Sequence, residues 1–150
     1  MYSLRLWSVR HARLLESVYR IGNPLIVATL RGAARVFGRH IDRPVTAIER
    51  AAKGLMFDCR MCGDCQLSRT GMSCPMNCPK TLRNGPCGGV RADGHCEVYP
   101  AMPCVWVNAY EGSLAMSAGA RIAERQPPID HRLKGGSSWL RIARERAEAP

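Results

Sequence analysis

Eight cysteines fall between Cys59 and Cys104 of a 150-residue chain, and their spacing marks this stretch as the chemically active one. The run Cys59-Arg60-Met61-Cys62-Gly63-Asp64-Cys65 places two residues between successive thiols, and Cys74, Cys78, Cys87, Cys96 and Cys104 follow. Thiolates are soft ligands, so such a cluster reads as a zinc or an iron-sulfur centre. A tetrahedral zinc site takes two ligands from each of two short knuckles, which leaves a third closely spaced cysteine without a place. A cubane presents several irons at separate corners, and one loop reaches three of them, as in ferredoxin-type runs. Cys74-Pro75 and Cys78-Pro79 are Cys-Pro pairs of the kind those runs contain. Eight thiols divide into two sets of four. That count suits two all-cysteine 4Fe-4S clusters and equally two four-thiolate zinc sites; the spacing favours iron-sulfur and leaves the assignment of thiols to individual centres open.

Other chemistry is less well supported. His95, between the Asp93-Gly94 turn and Cys96, has the position to replace a cysteine as ligand, but a histidine flanking a surface turn is the plainer reading. His11, His40 and His131 show no ligand spacing. A Cys-His nucleophile pair is a poor fit to eight thiols at metal spacing, and neither a phosphate-binding glycine loop nor a serine elbow is present. Glycines at 63, 71, 85, 88, 89 and 94 allow sharp turns and offer N–H groups to cluster sulfurs.

Three segments must hold this block: a basic helical segment over 1–57, the eight-cysteine core over 58–104, and a helix with a tail over 105–150. The first carries ten basic and three acidic residues, most of the formal charge of +10. Its apolar residues recur at helical spacing, first Leu4, Trp7, Leu14, Leu15 and Val18 up to an interruption at Gly22-Asn23-Pro24. Ile26, Leu30, Ala34 and Phe37 then mark a helix to about Gly38, and Val45, Ile48, Ala52 and Leu55 mark another that begins near Pro44. These stripes are expected to pack on one another and on the metal core, with a docking face for a partner as the second reading. The core itself is rich in Cys, Gly and Pro, with turns at Asn84-Gly85-Pro86 and Asp93-Gly94, so bound metal would supply the folding energy that a large apolar core supplies elsewhere. Further on, Val105 to Met116 has helical character, Gln126-Pro127-Pro128 reads as a linker, and Ser137-Ser138 caps a terminal helix through Arg146. The expected fold is mainly α with a loop-dominated, metal-bound segment, a small α+β protein overall.

Composition narrows the setting. No apolar stretch approaches the roughly 20 residues of a membrane span. Arginines at 5, 10, 13 and 20 break up any secretory h-region, although an arginine-rich, acid-poor start also fits a mitochondrial transit peptide. The expected location is cytoplasmic, where eight cysteines mean metal rather than disulfides. A (β/α)8 barrel takes about 250 residues, so a large substrate site must come from a partner.

The motifs Phe57-Asp58-Cys59, Cys62-Gly63, Cys65, Cys74-Pro75-Met76-Asn77-Cys78-Pro79-Lys80, Leu82-Arg83-Asn84-Gly85-Pro86-Cys87-Gly88-Gly89, Cys96-Glu97-Val98 and Cys104-Val105-Trp106 resemble the methylenetetrahydrofolate reductase C-terminal domain family. The resemblance covers roughly 45 to 112, extends loosely to Trp139-Leu140-Arg141, and has no specific motif in 1–40. It implies an iron-sulfur accessory subunit, itself non-catalytic, beside a flavin-bearing barrel that reduces methylenetetrahydrofolate. The flavin would sit only in that partner, and methyltransferase components are further possible partners. It also implies ligand roles for all eight cysteines. Electron transfer to the flavin is therefore the leading expectation, against a zinc-fixed docking scaffold without redox chemistry. A pI near 9.7 also allows nucleic-acid binding, but the arginines are scattered among apolar stripes and aromatic residues make up only 6% of the chain.

Overall fold

The computed structural model describes residues 2–148. Five helices carry it: α1 (Tyr2–Arg10), α2 (Ala12–Phe37), α3 (Asp42–Phe57), α4 (Val105–Ala115) and α5 (Ser138–Glu148), with short 3₁₀ turns between them. Helix accounts for 59% of the chain. The expected β contribution shrinks, among the described residues, to the isolated bridges Val90–Cys96 and His95–Pro103. Both lie in the cysteine segment, where frequent turns leave no run long enough to build a ladder.

The Gly22-Asn23-Pro24 interruption is not observed, because α2 runs through Pro24 without a break. Proline removes one intrahelical donor and crowds the preceding turn. Here the helix is anchored on both sides of it, by Ala12 and Glu16 upstream and Val27 downstream, all buried. The break comes instead at His11, whose ring Nδ1 lies 2.9 Å from the Trp7 carbonyl and whose ring stacks on Trp7. α4 and α5 arise where expected. The Ser137 hydroxyl accepts from the Leu140 N–H at 3.1 Å, an N-cap contact at the start of α5.

Most of the apolar stripes read as core face the solvent. Leu4, Trp7, Leu14, Val18, Phe37, Ile48 and Leu55 are all exposed. Several elements are fastened by polar groups instead. The buried Glu16 carboxylate accepts from the backbone N–H groups of Ser117 and Ala118 at 2.7 and 2.9 Å, tying α2 to the exit of α4. Ser8 of α1 donates to the Met56 carbonyl of α3 at 3.0 Å.

Three small apolar clusters form the interior, and each includes a cysteine. Cys74 packs with Ala12, Leu67, Met72 and Met116; Cys78 with Met102 and Val105; Cys104 with Trp106 and Ala109. The helices thus close over the cysteine loops rather than over a separate core. Close approach is made possible at Gly71, which has φ +57°; a Cβ there would stand 2.2 Å from the Ala109 carbonyl oxygen of α4. Gly71→Ala should therefore destabilise the fold by about 2–3 kcal/mol, lowering the Tm by roughly 4–12 °C in a calorimetric melt. An unchanged Tm would mean that α4 does not press on this turn.

Candidate metal centre

α3 delivers the first thiol directly. Its C-terminus is closed by Asp58 in the left-handed region at φ 51°, and the Cys59 N–H reaches back six residues to the Lys53 carbonyl at 3.3 Å. The chain then turns again at Met61, φ 48°, whose N–H donates to Cys59 Sγ at 3.4 Å. Gly63 has φ +78° and lies against the Leu133 backbone, where a Cβ would be 2.3 Å from a carbonyl oxygen. These turns fold the Cys59–Cys65 loop back on itself, and the turn before Pro75–Asn77 brings Cys74 to meet it.

Cys59, Cys62, Cys65 and Cys74 line one cavity together with Glu49, Lys53 and Arg83. The structure thus gathers four of the eight thiols that the spacing left unassigned. Burial, reinforced by the neighbouring Cys59, Cys65 and Cys62 thiols, pushes Cys74 up to about 12. Burial likewise pushes Cys59 up, although the Met61 N–H and the Lys53 charge favour its thiolate. Among the described residues no group of three or more His, Cys, Asp or Glu converges tightly enough to grip a single ion.

The other four thiols lie along the loops from Cys78 to Cys104. Cys78 packs with the half-buried Cys96 around Met102 and Val105. Cys87 and Cys96 both lie within electrostatic reach of Lys80, whose ammonium is raised chiefly by its hydrogen bond to Glu97. The Cys104 N–H bonds the Gly94 carbonyl at 3.0 Å and the Cys96 N–H bonds the Met102 carbonyl at 3.0 Å, folding Cys96 and Cys104 into one hairpin-like turn. A broad open groove has Cys62 of the first set and Cys78 of the second on its walls. His95 is held in its own turn, with its N–H on Asp93 Oδ1 at 3.0 Å, in keeping with the surface reading.

The residues that sequence reasoning missed are charged and buried. α3 was expected to turn Val45, Ile48, Ala52 and Leu55 inward, yet it buries Glu49 (1% exposed) and Lys53 (7%) while Ile48 and Leu55 are exposed. Lys53 Nζ donates to Glu49 Oε1 at 2.5 Å and to Ser138 Oγ at 2.8 Å, and lies 4.9 Å from the centre of the Trp139 ring. Ser137, Ser138 and the Trp139 N–H complete the donors around the Glu49 carboxylate. Burial alone would raise Glu49, but Lys53 and these hydroxyls outweigh it and hold the carboxyl below its ordinary 4.5. Burial alone would lower Lys53, but the Cys65 and Glu49 negative charges outweigh it and hold the ammonium above 10.5.

A second anchor is Asp64, within the first cysteine loop. It accepts from Arg83 at 2.6 Å, from Arg141 of α5 at 2.8 Å and from Gln66 at 2.9 Å. Arg83 is 7% exposed, and its Nε is buried with no hydrogen-bond partner. A motif scan had only the Leu82-Arg83-Asn84 context by which to notice it.

A family model described as methylene-tetrahydrofolate reductase C terminal matches residues 39–132, and the chain belongs to that family. The match takes in all eight cysteines, Glu49, Lys53 and Arg83, and leaves out α1, α2 and α5. Neither the curated proteins nor the solved structures contain a match to the chain.

The buried pair sets an acid limit. Because the Glu49 pKa is depressed on folding, its contribution is complete above the unfolded-state value of 4.5 and lost as pH falls through the folded value. Glu49→Ala, which leaves Lys53 buried and uncompensated, should cost about 3–5 kcal/mol at pH 7, and less at a pH below the folded value, in denaturant titrations. An equal loss at both would contradict a charged pair.

Proposed function

We propose that this chain is the iron-sulfur, electron-transferring accessory subunit of a methylenetetrahydrofolate reductase-type complex in one-carbon metabolism, working in the cytoplasm. The observation that carries the reading is the convergence of Cys59, Cys62, Cys65 and Cys74 on one cavity. The residues there fit a thiolate-bound metal core. Four soft ligands face a common space, Lys53 offsets negative charge, and the unpartnered Arg83 Nε–H is a donor in want of a sulfur acceptor. One tetrahedral zinc ion would draw its thiolates to about 3.8 Å of one another, given Zn–S bonds of about 2.3 Å. A core with an iron at each corner takes its four thiolates from around a larger volume, and four cysteines on one cavity wall are the number it needs.

Cys78, Cys87, Cys96 and Cys104 are proposed as ligands of a second cluster, and their shared loop region supports that grouping. When bound, the clusters would supply reversible one-electron transfer. The chain's own part is to hold the thiols, exclude water behind Cys74 and present an accessible edge at the groove between Cys62 and Cys78. A zinc-fixed docking scaffold remains the second reading, favoured by the same four-plus-four count.

The partner would carry flavin and folate. Support for a partner comes from the exposed apolar stripe Leu14, Val18, Ile21 and Leu25, which keeps helical spacing on α2 opposite its buried face. Few soluble surfaces leave such a row in water without a cover. Methyltransferase components are alternative occupants of the same face.

Anaerobically purified protein should contain about eight iron and eight acid-labile sulfide per chain and little zinc. Two zinc and no sulfide would instead establish the scaffold reading. Cys62→Ser should lose a large share of the iron and sulfide, while the exposed Arg43→Gln keeps both; equal content in the two would remove Cys62 from the ligand set. Val18→Glu with Ile21→Glu should abolish co-purification with the flavoprotein subunit at unchanged iron content. Retained co-purification would place the interface elsewhere.

A further inference from the structure

Two buried cations stand at the thiol-lined cavity, and neither belongs to the cysteine pattern. Lys53 comes from α3 and Arg83 from the loop after Cys78, so they reach the same space from separate parts of the chain. Both are held from behind. Lys53 is fixed by Glu49 and Ser138, and Arg83 by its bond to Asp64 at 2.6 Å. The Glu49 carboxylate is occupied by Ser137, Ser138 and the Trp139 N–H on the α5 side. Asp64 is shared with Arg141, so its negative charge is divided between two guanidinium groups. Arg83 lines the cavity and its buried Nε has no hydrogen-bond partner, so it holds unspent donor capacity. A buried donor left unbonded costs about 1–3 kcal/mol, and a sulfur acceptor in the cavity would relieve that penalty.

We infer that Lys53 and Arg83 tune the cluster bound by Cys59, Cys62, Cys65 and Cys74, Arg83 by an Nε–H···S hydrogen bond and Lys53 by its fixed charge, so that both raise its reduction potential. This rests on the iron-sulfur reading of those four thiols. A one-electron reduction makes and breaks no bond; a low-potential one-electron donor gives up the electron, and the charge of the core plus four thiolates goes from 2− to 3−. Donors and positive charge stabilise the more negative state, and at a partly buried site they are less screened than in open water. Neither residue is a ligand. Both are positioning residues, and their signature is a potential rather than a metal content.

The test is an EPR-monitored redox titration with dithionite, on protein whose iron and sulfide have first been counted. Wild type without iron or sulfide would refute the iron-sulfur reading itself, before any question about Lys53 or Arg83 arises. With full iron, Lys53→Met and Arg83→Gln should each lower the midpoint of one cluster signal and leave the other. The expected size is at least a tenfold change in the oxidised-to-reduced ratio at fixed potential, which is about 59 mV for a one-electron couple. Exposed Arg50→Gln should leave both signals alone, and Lys53→Arg should restore most of the loss seen in Lys53→Met. Unshifted midpoints in iron-replete Lys53→Met and Arg83→Gln would overturn the inference.

If those variants fail to fold, the wild-type protein still decides. Pulsed EPR of the reduced protein, grown with arginine labelled with ¹⁵N at Nε, should show ¹⁵N coupling to the cluster. Its absence would overturn the hydrogen bond assigned to Arg83.

Discussion

A lysine ammonium almost without access to water joins α3 to the head of α5 at the wall of the first cysteine loop. Lys53 is gripped by Glu49 one turn earlier on the same helix and by Ser138 at the head of α5, with Trp139 against its ring face. Taking two charges out of water is expensive, and the pair persists because hydroxyl and backbone donors complete the carboxylate while Glu49 and the nearby Cys65 favour the charged ammonium. The pair joins α3 to the head of α5, and Arg144 of α5 adds an ion pair with Asp42 of α3. One charged contact thus couples the C-terminal helix to the geometry of the first four thiols. A hydrophobic pair of similar size would pack as well, yet it would place no positive charge beside the cysteines.

That arrangement explains why α5 matters although it lies outside the segment shared with the methylene-tetrahydrofolate reductase C-terminal family. Arg141 donates from Nε to the Gly63 carbonyl at 3.1 Å and also meets Asp64 at 2.8 Å, so α5 clamps the cysteine loop at two successive residues. The helical frame is therefore a brace around the cysteine loops, which carry much of the buried interior. The apolar surface it leaves exposed on α1, α2 and α3 is the counterpart of that economy: helices used to brace from one side have a second side to offer.

Part of this was legible in the sequence. The helix after Cys104 and the serine cap of α5 depend on local rules, and each was found where those rules put it. The grouping of Cys59, Cys62, Cys65 with Cys74 was not legible, because it depends on left-handed turns at Asp58 and Met61 that their side chains do not announce. The inward face of α3 was read the wrong way round. Periodicity assumes that apolar residues turn inward, and it fails where buried charges find their partners some 85–90 residues away, as Glu49 does at Ser137 and Ser138. Pro24 misled for a related reason, since a lost hydrogen bond is a local defect while the anchorage of α2 on either side is tertiary. Arg83 carried no signal at all beyond its motif; only its burial and its unsatisfied Nε single it out.

The central claim is that Cys59, Cys62, Cys65 and Cys74 enclose a core of several irons. Anomalous scattering from crystals of the anaerobically prepared protein, collected at the iron and zinc edges, tests it most directly. A compact group of iron peaks is expected inside that cavity, bounded by the four thiols with Arg83 alongside. A single zinc peak at that position, or disulfides joining those cysteines, would contradict it.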